Sequence, residues 1–250
     1  MSEVILVTGA SAGFGEAIAR LFVSKGYRVI GAARRQDKLR DLAHELGESF
    51  YPLQMDVSDK NSVDKALALL PKDWSKISLL VNNAGLALGL DKAYEADFKD
   101  WETMIMTNVM GLSYLTRKLL PQMVAAKEGY IINIGSTAGS YPYPGGNVYG
   151  ATKAFVKQFS LNLRADLAGS HVRVSTIEPG LCGGTEFSKV RFKGDADRAK
   201  QVYEGVSSLQ PEDIANAVLW LFQQPKHVNV NCLELMPVSQ SFGPWHLAED

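Results

Sequence analysis

Residues 4–26 read VILVTGASAGFGEAIARLFVSKG. Val4 to Thr8 is an apolar, β-branched run closed by Gly9, the pattern of a strand. Ala17, Ile18, Leu21 and Phe22 follow at helical spacing and Gly26 stops them, the pattern of a helix. Between the two, Gly9, Gly13 and Gly15 let the chain turn sharply and approach a phosphate group. That phosphate would then face the helix N-terminus, where the dipole favours negative charge. Ser11 and Phe14 belong to the same turn. A glycine-rich turn alone is also compatible with a purely structural bend. Its position between the first strand and the first helix favours a nucleotide.

The alternation of strand and helix continues outward from this unit. RVIGAAR (28–34), SFYPLQMDV (49–57), ISLLVNNAG (77–85), YIINIGS (130–136), HVRVSTIEPG (171–180) and VNVNCLELMPV (228–238) read as further strands. Helical patterns lie between them, the longest over 100–129 with Pro121 as an expected kink or break. Others are expected near 149–168 and 211–223. The strands are mostly unbroken apolar runs, as expected for strands covered on both faces. The prediction is one α/β domain over 1–250, a doubly wound parallel sheet with helices on each side. Residues 181–210 are polar, glycine-spaced and weakly periodic, and are expected to form a flexible lid.

In such a sheet, ligands bind beyond the carboxyl ends of the strands. The second strand ends in Ala33, Arg34 and Arg35, where an NAD site usually carries an acid for the ribose 2′-hydroxyl. Two guanidiniums there suit a 2′-phosphate instead, which points to NADP(H). The competing reading is a pair of solvated arginines at a helix start. Asp56 ends the third strand, beside Val57, and is expected to accept from an adenine amino group.

Composition narrows the function classes. The 250 residues are 46% hydrophobic and 21% charged, with a formal net charge of -1. Nothing in that balance points to nucleic acid or to an anionic membrane. No apolar run approaches the roughly 18 residues needed to span a bilayer. A strand beginning at Val4 leaves no room for a signal peptide before it. The two cysteines, Cys182 and Cys232, make no disulfide framework and suit reduced thiols in a cytoplasmic protein. His44, His171, His227 and His246 show no metal spacing, so no metal site is expected.

The glycine pattern, NNAG at 82–85, GS at 135–136 and YGATK at 149–153 together resemble the short-chain dehydrogenase/reductases over essentially the whole chain. The resemblance implies a seven-stranded Rossmann-type sheet, a nicotinamide cofactor and a catalytic set of Asn108, Ser136, Tyr149 and Lys153. It places the cofactor against Gly9, Gly13, Gly15, Asn83, Ala84, Gly85, Pro179, Gly180 and Thr185, with Tyr149 and Lys153. Longer stretches, among them INIGSTAGSYPYPGGNVYGATKAF (132–155) and IEPGLCGGTEFSKVRFKGD (177–195), are similar to bacterial NADP-dependent 3-hydroxy acid dehydrogenases. Those enzymes oxidise serine, L-allo-threonine and related acids and reduce malonic semialdehyde.

The chemistry is consistent with that set. A free phenol titrates near pH 10 and is a poor base at neutral pH. Lys153 lies one helical turn beyond Tyr149, and its charge is expected to lower that value. Ser136 ends the fifth strand, where its hydroxyl can hold a substrate oxygen against Tyr149. Asn108 falls inside the long helix, where the resemblance implies a local irregularity holding a water beside Lys153.

A hydroxy acid needs a partner for its carboxylate. Arg191 is favoured over Lys189 and Lys193 because a guanidinium matches carboxylate geometry. Gly146, with Gly145 and Asn147, is expected to shape the pocket floor, and Glu186 to meet a substrate amine. Two other functions stay open: reduction of uncharged ketones or sugars, and a turnover-free NADP sensor. The helices carrying Met104, Met106, Met110, Phe155, Phe159 and Leu163 hold more apolar residues than one sheet face requires. The resemblance implies a four-helix contact between copies and a homotetramer. The tail SFGPWHLAED (241–250) is expected to cover a neighbouring copy or to close its own pocket.

Overall fold

The computed structural model describes residues 3–242, so all but the first two residues of the SFGPWHLAED tail, and His246 with them, lie outside the described residues. Seven strands form one sheet in the order β3-β2-β1-β4-β5-β6-β7. They are β1 Val4–Thr8, β2 Arg28–Ala33, β3 Phe50–Gln54, β4 Ile77–Asn82, β5 Gly129–Ile134, β6 Val172–Pro179 and β7 Cys232–Leu235. Every neighbouring pair is parallel. The order reverses between β1 and β4, so a crevice opens there at the carboxyl ends of the strands.

Burial explains why the sheet is parallel. All five residues of β1 and all six of β5 are buried, as unbroken apolar runs require. One face is covered by α1 (Gly13–Ser24), α2 (Gln36–Leu46) and α9 (Pro211–Gln223), through Phe22, Leu39, Val218 and Phe222. The other is covered by α3 (Lys60–Ala68), α5 (Leu112–Ala126) and α6 (Asn147–Asp166), through Val63, Leu115, Leu119 and Leu163. Each such side chain contributes about 1.5–3 kcal/mol by leaving water. A buried amide chain ties four of these elements together. Asn82 donates to Thr116 (2.9 Å) and Asn133 (2.8 Å), and Asn133 donates to Ser160 (2.8 Å).

Two expectations change, at Pro121 and at the last strand, while the irregularity expected at Asn108 is present. The helix does not break at Pro121, because α5 runs through it to Ala126. Pro121 lies on the exposed side, while Leu115, Leu119 and Met123 hold the helix to the sheet, so one missing backbone bond is tolerated. The long helical run is instead interrupted earlier. After α4 (Phe98–Ile105), residues Met106–Gly111 form a π-helical turn that includes Asn108. The last strand is also short: β7 has four residues, alternately exposed and half-buried. At the opposite edge β3 carries Pro52, which only an edge strand accommodates.

The 181–210 segment is folded against the carboxyl ends of the strands. It contains α7 (Phe187–Arg191) and α8 (Ala196–Gln201), and a bridge between Cys182 and Leu209 closes its base.

Candidate active site

One cavity of about 730 Å³ occupies the switch-point crevice, running from Arg34, Arg35 and Asp56 at one end to Tyr149, Lys153 and Arg191 at the other. It is lined by Gly9, Ser11, Gly13, Phe14, Val57, Asn83, Ala84, Gly85, Ser136, Pro179, Gly180 and Thr185 as well. The expected cofactor residues therefore converge, with one exception.

That exception is Gly15, which lies beneath the turn rather than on the cavity wall. A Cβ on Gly15 would sit 2.4 Å from the Gly9 carbonyl oxygen, so glycine is what lets α1 pack under the turn. Gly9 itself has φ +69°, a conformation that favours glycine. Thr8 locks the arrangement to β4: its hydroxyl accepts from the N–H groups of Asn83 (3.0 Å) and Ala84 (2.9 Å). Gly15→Ala is expected to lower stability by about 1–3 kcal/mol and to weaken nucleotide binding, because the turn must move to admit the methyl group. Urea denaturation checks this, and a wild-type midpoint would refute it.

At the nucleotide end, Arg35 donates to the Ser11 hydroxyl (3.2 Å) and carbonyl (3.3 Å) and pairs with Glu186 at 2.8 Å. Glu186 is thus committed to Arg35 and not to the substrate end, contrary to the expectation from sequence. Asp56 accepts from the N–H and hydroxyl of Ser58 through one oxygen, which leaves the other to a ligand.

At the chemical end, close packing brings Ser136 to α6. A Cβ on Gly139 would lie 2.7 Å from the Lys153 carbonyl carbon, and one on Gly150 would lie 2.9 Å from the Ala138 oxygen. The turn after Ser136 therefore rests directly on the helix that carries Tyr149 and Lys153. Both of these side chains are buried, and Lys153 Nζ donates to the Ile134 carbonyl at 2.8 Å. Burial pushes the Tyr149 phenol up to about 12, while a hydrogen bond with Ser136 and the Arg191 charge pull it down. Burial pushes Lys153 down to about 8. The expected lowering of Tyr149 by Lys153 is not what the site shows: burial of the phenol dominates, and the downward influences are Ser136 and Arg191.

Asn108 stands behind the cavity rather than in its wall. Its Oδ1 accepts from Leu86 N–H (2.9 Å), and its Nδ2 donates to the Leu86 carbonyl (2.9 Å) and the Thr152 hydroxyl (3.1 Å). Both amide hydrogens are spent, so its side chain has none left for a water. Gly146 is displaced too: it is buried under Tyr143, whose ring a Cβ there would meet at 3.0 Å. Tyr143, which sequence reasoning missed, lines the cavity in its place. Its only sequence signal was a position in the turn-rich run SYPYPGG.

Of the three cations in 188–195, only Arg191 lines this cavity. Lys193 pairs with Asp100 at 2.8 Å, and Lys189 faces a separate outer cleft. The Arg191 guanidinium donates to the Tyr143 hydroxyl (2.5 Å) and the Gly89 carbonyl (3.3 Å). Phe187 and Val190, on the same helix, add apolar lining. Cys182 also lines the cavity, but burial pushes its thiol up to about 12, away from nucleophilic use. Among the described residues no cluster of His, Cys, Asp and Glu has metal-binding geometry.

A family model described as short chain dehydrogenase matches residues 3–196. The chain is 59% identical to a probable NADP-dependent dehydrogenase of Haemophilus influenzae, covering 98% of this chain and 97% of that one. It is equally 59% identical to the NADP-dependent 3-hydroxy acid dehydrogenase YdfG of Shigella flexneri, covering 96% and 97%. Among solved structures, the closed form of a serine dehydrogenase complexed with NADP+ superposes with a TM-score of 0.97. That chain is 56% identical, and the match covers 99% of this chain and 100% of that one.

Proposed function

Since the chain belongs to the short chain dehydrogenase family, we propose that it oxidises the hydroxyl of small 3-hydroxy acids of the serine, L-allo-threonine and 3-hydroxypropionate type, or reduces the matching semialdehydes. Its cofactor is NADP(H). The cavity fits that group: a glycine turn at a helix N-terminus for the pyrophosphate, and Arg34 and Arg35 beyond it for a 2′-phosphate. When bound, the nicotinamide supplies the hydride acceptor or donor.

The observation that carries the substrate reading is the placement of Arg191. Its guanidinium carbon lies 5.4 Å from the centroid of the Tyr149 ring, which suits a molecule with a carboxylate a few bonds from its reacting carbon. In oxidation, Ser136 holds the substrate oxygen, Tyr149 takes the hydroxyl proton, and Lys153 presents its charge from the next turn of α6. In reduction, Tyr149 returns a proton to the carbonyl oxygen. A phenol raised to about 12 is protonated at neutral pH, which suits it to that second direction. Asn108 acts through Leu86 and Thr152, fixing the π-helical turn against the substrate end.

Residues 181–210 serve as a lid whose Arg191 and Glu186 reach the two ends of the cavity. The acids lining it, Asp56 and Glu186, are at the nucleotide end, so a substrate amine has no carboxylate partner at the Tyr149 end among the described residues. NADP-dependent oxidation of 3-hydroxypropionate, 3-hydroxyisobutyrate, serine, L-allo-threonine and 1,3-propanediol tests the reading. The acids are expected to exceed the diol by about 10²-fold in kcat/KM, and Arg191→Ala is expected to remove most of that margin through KM. Equal use of acid and diol would favour the reductase of uncharged substrates. Bound NADPH without turnover would favour the sensor.

We also place the protein in the cytoplasm as a homotetramer. The free thiols of Cys182 and Cys232 support the first. Exposed Met106, Met110, Phe155 and Leu161, on the helices flanking the site, support contact between copies.

A further inference from the structure

We propose that Arg191 acts on the proton acceptor as well as on the substrate: its guanidinium is a second cation, beside Lys153, that stabilises the phenolate of Tyr149. The segment that shapes the substrate pocket thereby also sets the strength of the base. This rests on Tyr149 being the proton acceptor.

The geometry is that of two cations on one ring. The guanidinium carbon of Arg191 lies 5.4 Å from the Tyr149 centroid, and Lys153 Nζ lies 5.9 Å from it. Arg191 is fixed on three sides. Its Nη2 donates to the Tyr143 hydroxyl, its Nε to the Gly89 carbonyl, and its own carbonyl accepts from Gly89 N–H at 2.9 Å. These bonds leave Nη1 uncommitted among the described residues, so a carboxylate can bind without releasing the anchor.

Apart from Lys153, the groups facing Tyr149 among the described residues do not supply a comparable charge. α6 contributes Lys153, the preceding loop contributes Tyr143, and the turn after β5 contributes the neutral Ser136 hydroxyl. α4 and residues 86–88 present Met104, Trp101, Leu86, Ala87 and Leu88, which are apolar. α7 presents Phe187 with its ring 5.8 Å away. In such surroundings a full positive charge is weakly screened and favours the ionised phenol. The direction agrees with the downward pull of Arg191 on the Tyr149 titration, which Tyr143 opposes.

The test uses 1,3-propanediol, whose lack of charge leaves the guanidinium unshielded. The pH profile of kcat/KM for its oxidation rises as Tyr149 ionises. In Arg191→Met the midpoint of that rise is expected to move to higher pH by about one unit. A midpoint unchanged in Arg191→Met overturns the proposal. The same midpoint is read without turnover from the phenolate ultraviolet absorbance that Tyr149→Phe removes, measured with and without Arg191→Met. Arg191→Gln removes the charge but keeps a hydrogen-bonding side chain, and is expected to give a shift of the same sign, so the proposal stays exposed if the methionine variant is unstable. Failure of Tyr149 as proton acceptor is distinguished by normal turnover in Tyr149→Phe. Failure of the carboxylate anchor is distinguished by an unchanged KM for 3-hydroxypropionate in Arg191→Ala.

Discussion

Tyr149→Phe is expected to lower kcat for 3-hydroxypropionate oxidation by roughly 10³-fold or more, while NADPH binds as in the wild type. The substitution removes one oxygen and nothing else of consequence. The ring keeps its buried position and its contact with Phe187, and Lys153 keeps its bond to the Ile134 carbonyl. What is lost is, among the described residues, the one hydroxyl set between Ser136 and two cations. Ser136 cannot replace it, because an aliphatic hydroxyl has no accessible ionised form near neutral pH. NADPH fluorescence titration and steady-state kinetics on one preparation separate the two effects. Turnover within tenfold of the wild type would remove Tyr149 from the mechanism.

The second large effect is expected from Arg34→Ala combined with Arg35→Ala, which should weaken NADP+ by about 10²-fold and NAD+ by much less. Hydrogen bonds to charged groups contribute about 1.5–3 kcal/mol each, and a 2′-phosphate loses at least two of them here. The margin is held near this figure because both arginines are exposed and Arg35 is already shared with Ser11 and Glu186. Dissociation constants for the two nucleotides decide the matter. Equal weakening of both would mean that the arginines support the turn and do not read the phosphate.

The order and nature of the elements were legible because they follow from local pattern. Unbroken apolar runs at 4–8, 77–82 and 129–134 are buried on both faces, and the glycines at 9, 13 and 15 form the turn that their spacing suggests. The convergence of the candidate residues on one cavity was legible for the same reason, since most of them sit at strand ends or on one helix face. What was not legible depends on contacts distant in sequence. The direction of the Tyr149 titration reflects how many groups close over it, which no spacing reveals. Glu186 meets Arg35 across 151 positions, and Arg191 meets Tyr143 across 48. The position of Gly146 just before Tyr149 in sequence suggests a place at the pocket. The fold instead turns it inward and presents Tyr143. The intrinsic preference of Pro121 to end a helix is overridden by packing of the opposite helix face.

The two margins of the sheet bear on how copies of this chain can meet. A parallel sheet exposes a row of unpaired peptide groups at each side, and such rows recruit strands from other molecules. One row is interrupted at Pro52, which has no N–H to offer, and the other is only four residues long and ends two residues before Pro237. Neither row is continuous enough to template growth of the sheet from chain to chain. Among the described residues, any contact between folded copies would fall to side chains on the helices, and runaway fibre-like stacking is disfavoured.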